Sequence, residues 1–144
     1  MRLRISFVLL FAVFSLSLAA DTITVVSSSN AVFSAIAQSQ AGDVIILADG
    51  EYAESNKLVI THPLTLQAAA GASPVIRMKS RVELSADLTL SGLRWEADGA
   101  SEAIRMLPGE QSYTVQIERC TFHDFSFAGL QRAFTLCTFS TSKE

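Results

Sequence analysis

Gln40-Ala41-Gly42-Asp43-Val44-Ile45-Ile46-Leu47-Ala48-Asp49-Gly50-Glu51-Tyr52 is the stretch on which the fold turns. Gly42 reads as the stop of a preceding helix, Val44 to Leu47 as a wholly apolar strand, and Asp49-Gly50 as a tight turn. A strand apolar on both faces must be covered on both sides. Asn30 to Ser39 can supply one cover as a short amphipathic helix, with Val32, Phe33, Ile36 and Ala37 on one face. The strands that follow can stack alongside and supply the other. This is the opening of a parallel β-helix.

The flanking sequence fits that reading. Thr22 to Ser27 is a β-branched run that predicts a first strand. Ser27-Ser28-Ser29-Asn30 then offers side chains that cap helices by accepting early backbone N–H groups. A helix over 30–40 would shield the end of a sheet stack, whose backbone groups are otherwise unpaired. Downstream come short apolar strands broken by turns: Leu58-Val59-Ile60, Leu64-Thr65-Leu66, Val75-Ile76, Val82 with Leu84, Leu88-Thr89-Leu90, and alternating Tyr113, Val115 and Ile117. His62-Pro63 separates the first two, since proline interrupts a ladder.

An internal repeat aligns these strands. Leu90-Ser91-Gly92-Leu93-Arg94-Trp95 matches Ile117-Glu118-Arg119-Cys120-Thr121-Phe122 at a displacement of 27, from Leu90 to Ile117. Leu66 to Leu90 is a step of 24 and Ile46 to Leu66 a step of 20. Unequal steps suit a solenoid, where loops lengthen without disturbing the stack. A β-sandwich also uses short strands between turns. The helix-then-strand opening and the scarcity of Asn-Gly or Asp-Gly hairpins favour the solenoid. The expected fold is therefore all-β: a right-handed parallel β-helix of about four to five rungs with an N-terminal capping α-helix.

Residues 1–20 stand apart. Arg2 and Arg4 precede an apolar run from Ile5 to Leu16, and small residues follow at Ser17, Ala19 and Ala20. This order predicts a secretory signal peptide cleaved after Ala19 or Ala20, leaving 21–144 as one β-helix domain, expected to be incomplete at its C-terminal end. An uncleaved membrane anchor is the other reading, and the run is short for a span of roughly twenty residues. No membrane span is expected after cleavage. Loss of two arginines moves the net charge from −3 to about −5. A mildly acidic domain lacks the broad basic surface that nucleic-acid binding requires. The expected location is periplasmic, extracellular or on the cell surface.

Cys120 and Cys137 lie in similar contexts, Arg119-Cys120-Thr121-Phe122 and Leu136-Cys137-Thr138-Phe139. They either bridge a short loop or sit as buried thiols in neighbouring rungs. No Cys or His spacing suits a metal, and no cofactor is expected.

Residues 22–48, with their strand, helix and Ala-Gly-Asp-Val-Ile-Ile-Leu run, resemble the N-terminal cap of pectin-lyase-like right-handed β-helix proteins. Within that superfamily the sequence is most similar to the N-terminal part of chondroitinase-B-like and alginate-lyase-like chains. These share an Asp-Gly-x-Tyr turn and a later Leu-x-Gly-Leu-x-Trp rung, here Leu90 to Trp95. The resemblance implies a place among proteins that act on uronic-acid polymers. It transfers no catalytic residue, because in that family the catalytic Lys and Arg and the calcium-holding carboxylates come from rungs further downstream.

Eliminative cleavage of a uronate needs a neutralised carboxylate, a base for the C5 proton and a cleft. Arg77, Lys79 and Arg81 alternate, so on one strand they would share a face and meet an anionic polymer; they also suit a solvated strand face. His123-Asp124 could cooperate only across a turn, and His62 reads as a turn residue. Trp95 could stack on a sugar, but its match to Phe122 predicts an internal aromatic stack. The expected function is a secreted, non-catalytic β-helix module that binds an extracellular acidic polysaccharide through Arg77, Lys79 and Arg81. Two alternatives stand beside it. One is the N-terminal fragment of a polysaccharide lyase. The other is a cell-surface protein that self-associates through its C-terminal rung, the strand Phe134 to Phe139.

Overall fold

A computed structural model describes residues 19–107 and 113–125. Residues 1–18, where most of the expected leader falls, residues 108–112, Cys137 and the strand expected at Phe134 to Phe139 lie outside the described residues. The described chain runs β1 (Thr22–Val25), α1 (Ala31–Gln38), β2 (Val44–Leu47), β3 (Glu51–Glu54), β4 (Leu58–Ile60) and β5 (Leu64–Ala68). It continues through β6 (Val75–Met78), β7 (Val82–Leu84), β8 (Leu88–Ser91), β9 (Arg94–Ala97), β10 (Ile104–Met106), β11 (Val115–Glu118) and β12 (Thr121–His123).

The strands form three sheets that the chain visits in rotation. The first is ordered β1-β2-β5-β8-β11, the second β12-β9-β6-β3 and the third β10-β7-β4. Every pairing is parallel, as a solenoid requires. The described part is a parallel β-helix of about four turns, matching the four strands of the second sheet.

Registered columns of apolar side chains fill the interior. Ile45, Leu66, Leu90 and Ile117 stack from the first sheet. Tyr52, Ile76, Trp95 and Phe122 stack from the second, and Leu58, Val82 and Ile104 from the third. Each buried side chain of this size contributes roughly 1.5–3 kcal/mol, so the columns dominate stability. The Leu90–Trp95 repeat is in the expected register, with Leu90 beside Ile117 and Trp95 beside Phe122. The two rings are stacked, their centroids 6.1 Å apart and their planes 9° from parallel.

Two local expectations need correction. The strand β2 is not covered on both faces: Ile45 and Leu47 are buried, whereas Val44 and Ile46 point outward and are half-buried. The rung partner of Leu66 is therefore Ile45, not Ile46. The helix stops at Gln38, before Gly42, when the Ser39 N–H closes onto the Ile36 carbonyl. Gly42 serves the next turn instead, at φ +92°.

The cap of α1 is also supplied differently. Asn30 is left-handed, at φ 55°, and its side chain gives the helix no cap. The first amides go instead to Glu54 on β3: Val32 N–H donates at 2.9 Å and Phe33 N–H at 3.2 Å. Asn30 turns its side-chain carbonyl to the Ser55 N–H at 2.9 Å. The helix is thus fastened to the first turn and covers the ends of the second and third sheets.

Candidate functional site

Outward positions on the first sheet are nearly uncharged, whereas the second and third carry a network of opposite charges. Alternation on a strand places Arg77 on the outer face of β6, and pairing sets it beside Glu96 of β9. Its guanidinium reaches Glu51 at 3.1 Å and Glu96 at 3.3 Å. Arg94, two residues before Glu96 and on the same face, binds it at 2.9 Å.

The network turns the corner with the chain. Lys79 lies in the bend after β6, exposed and without an ion pair among the described residues. Arg81 precedes β7 and lies half-buried, 2.7 Å from Glu83. Lys57 holds the other oxygen of Glu83, also at 2.7 Å. Glu102 follows, at 2.7 Å from Arg105 and 3.9 Å from Arg81. Hydrogen bonds from Lys57 and then Arg81 hold the Glu83 carboxyl below its usual range, against the opposing effect of burial. Arg105 does the same for Glu102, and Glu102 in turn raises Arg105.

Arg77, Lys79 and Arg81 therefore do not share one strand, because alternation ends at Met78 where the chain bends. They line one corner, and two of the three are already neutralised by carboxylates. Arg77 keeps nearly half of its side chain exposed (46%) and Lys79 is exposed. The carboxylates were missed by a reading that looked for cations alone. A signal was present, since Arg81-Val82-Glu83 and Arg94-Trp95-Glu96 place opposite charges two apart on one strand face.

The remaining candidates separate. His123 faces outward in register with Glu96, and Asp124 leaves the strand at φ 64°, so a turn does follow His123. His62 is more than a turn residue: its Nε2 lies 3.0 Å from Ser39 Oγ, at the edge of a cleft of about 260 Å³ between α1 and β4. The Ser39 hydroxyl donates to the Ile36 carbonyl at 2.8 Å, so it accepts from the imidazole and is not poised as a nucleophile. Cys120 is buried and forms no bridge among the described residues, and burial pushes its thiol up. Among the described residues no three His, Cys, Asp or Glu side chains gather as a metal site, and no helix is long and apolar enough to cross a membrane.

No protein-family model matches the chain, and no curated protein matches it. Among solved structures it is similar to AlyGC, a PL6 family alginate lyase, with 29% identity and a TM-score of 0.66. The likeness covers 76% of this chain and 18% of that one. A mutant form of AlyGC matches over the same shares, with 29% identity and a TM-score of 0.65. The fold and this likeness together support a parallel β-helix, lyase-like relationship. It spans less than a fifth of the length of the alginate lyase it resembles, 18%.

Proposed function

We propose that this chain is the helix-capped, non-catalytic N-terminal part of an exported β-helix protein that holds an acidic polysaccharide against its second and third sheets. The observation that carries the reading is the corner of Arg77, Lys79 and Arg81. Exposed positive charge at Arg77 and Lys79 stands out on a chain whose net charge is −3 over the whole sequence and which is similar to an alginate lyase. Residues 1–20 act as the export leader. Attraction is modest, because a polyanion competes with Glu51 and Glu96 for Arg77, and exposed pairs are each worth roughly 0.2–1 kcal/mol. Affinity then comes from several contacts along one polymer.

The 18% coverage of AlyGC favours one further reading, in which later turns complete a lyase on this base. The described residues bring together no base and carboxylate-neutralising group around a common cleft.

Calorimetric titration with alginate tests the proposal, with neutral dextran as the control. Alginate should bind at low salt and dissociate as salt rises. Arg77→Glu with Lys79→Glu should weaken it by roughly tenfold or more, equivalent to about 1.4 kcal/mol. Arg81 is left intact because it balances the buried Glu83. Equal binding of dextran, or no effect of the double substitution, defeats the reading.

A further inference from the structure

Three charged side chains are buried among the described residues: Asp43, Glu54 and Glu83. Glu83 has Lys57 and Arg81 against it, and Glu54 faces the amides that open α1. Asp43 makes no ion pair among the described residues, although His62 lies near enough to favour its charged form. Its carboxylate accepts the Gln40 N–H at 2.7 Å and the Asp21 N–H at 2.9 Å, and it is only 5% exposed. Those two amides outweigh the effect of burial and favour the ionised carboxylate, and a cation at hydrogen-bond distance would favour it further.

The Asp21 nitrogen occupies that position. The Asp21 carbonyl accepts the Val44 N–H at 2.9 Å, so the backbone here is already part of the first sheet. Ala19 and Ala20 are exposed and make no hydrogen bond among the described residues. Among the described residues, pairing with the first sheet therefore begins at Asp21, one of the two expected starts of the processed chain.

We propose that removal of the leader at the Ala20–Asp21 bond leaves an α-ammonium that the Asp43 carboxylate holds, so that processing adds an ion pair to the first turn. Hydrolysis breaks the C–N bond: water gives its hydroxyl to the Ala20 carbonyl and a proton to the Asp21 nitrogen. The freed amine takes a second proton from solvent and keeps the hydrogen bond the amide made. The titratable groups facing it are Asp43, its own Asp21 carboxyl, which accepts the Thr22 N–H at 2.8 Å, and His62, next to the Pro63 carbonyl that accepts the Gly42 N–H. The proposal rests on the export reading above.

The sign of the pH effect follows from the partner. A carboxylate raises the ammonium above the ordinary α-amino value of about 7.7–8.0, so the ion pair is intact below that range and lost as pH rises through the raised value. The test exports the full chain from a bacterial host, reads its N-terminus by intact mass, and follows thermal unfolding from about pH 6 to pH 10. A chain starting at Asp21, losing several degrees over that range unless Asp43 is replaced (Asp43→Asn), supports the proposal. Should Asp43→Asn fail to fold, the α-amine is titrated by NMR in the unaltered protein, and a value above about 8 supports it. A start at Ala20, or an α-amine titrating in its ordinary range, overturns the ion pair and leaves the export reading standing. Retention of Met1 overturns both.

Discussion

The Glu54 carboxylate accepts the Val32 amide at 2.9 Å across 22 residues of sequence, so the helix is capped by the strand it covers. Truncating Glu54 to Ala leaves buried amides unsatisfied at the positive end of α1 and should cost about 1–3 kcal/mol in urea unfolding. Glu54→Gln keeps one acceptor and should cost less. The pH dependence has a definite sign. Burial raises the Glu54 carboxyl, more than the Val32 and Phe33 amides lower it. The folded protein thus holds this proton more tightly than the unfolded chain. Its contribution is greatest below the ordinary value of 4.5 and falls as pH rises through the folded value. Glu54→Gln should flatten that decline.

Ile45 and Ile46 are neighbours with opposite fates, one pointing into the core column and one outward. Ile45→Ala should cost about 2–5 kcal/mol, whereas Ile46→Ala should cost roughly 1 kcal/mol or less. Chemical denaturation of the two variants checks the register directly. Equal losses would mean that β2 faces the core differently.

The same pair shows what the sequence could disclose. Leu64-Thr65-Leu66 and Leu88-Thr89-Leu90 alternate, so their inward residues were legible and the 24-residue step was read correctly. Val44 to Leu47 is apolar throughout, which removes the period of two that tells one face from the other. The register of β2 was therefore off by one. Glu54 as a cap was hidden for another reason, because capping rules look a few residues away and this partner lies on the next turn. The basic corner was legible as charge but not as a network, since its carboxylates come from three other strands and the bend before β10.

Gly50 is fixed by space as well as by conformation. It adopts φ +131°, and an added Cβ would lie 2.5 Å from Ser27 Oγ and 2.8 Å from Ser27 Cβ. Gly50→Ala should therefore destabilise by more than the roughly 1–3 kcal/mol of an unfavourable backbone alone. Adding Ser27→Gly removes the collision but not the backbone cost, so thermal unfolding of the double variant should show partial rescue. Full rescue would assign the whole effect to Ser27, and no rescue would assign it to the turn.

Acid should act in the opposite direction to the Glu54 effect and over a lower range. Ion pairing holds Glu83 and Glu102 below their ordinary 4.5, and the Gln40 and Asp21 amides hold Asp43 below 3.8. Each contributes stability that is fully present above its ordinary value and is lost as pH falls through the depressed folded value. Three such groups against one raised carboxyl give a curve that falls steeply on the acid side and gently above 4.5, the ordinary value of Glu54. Glu83 is the informative site because it is buried between Lys57 and Arg81, each 2.7 Å away. Glu83→Gln leaves those two cations without their shared counter-charge, so the variant should melt lower at neutral pH. It should also lose less on acidification, because one of the protons taken up on unfolding is gone. Melting temperatures of both proteins from pH 2 to 7 should therefore converge toward the acid end. Parallel curves, offset equally at every pH, would show that Glu83 acts through packing and not through its charge.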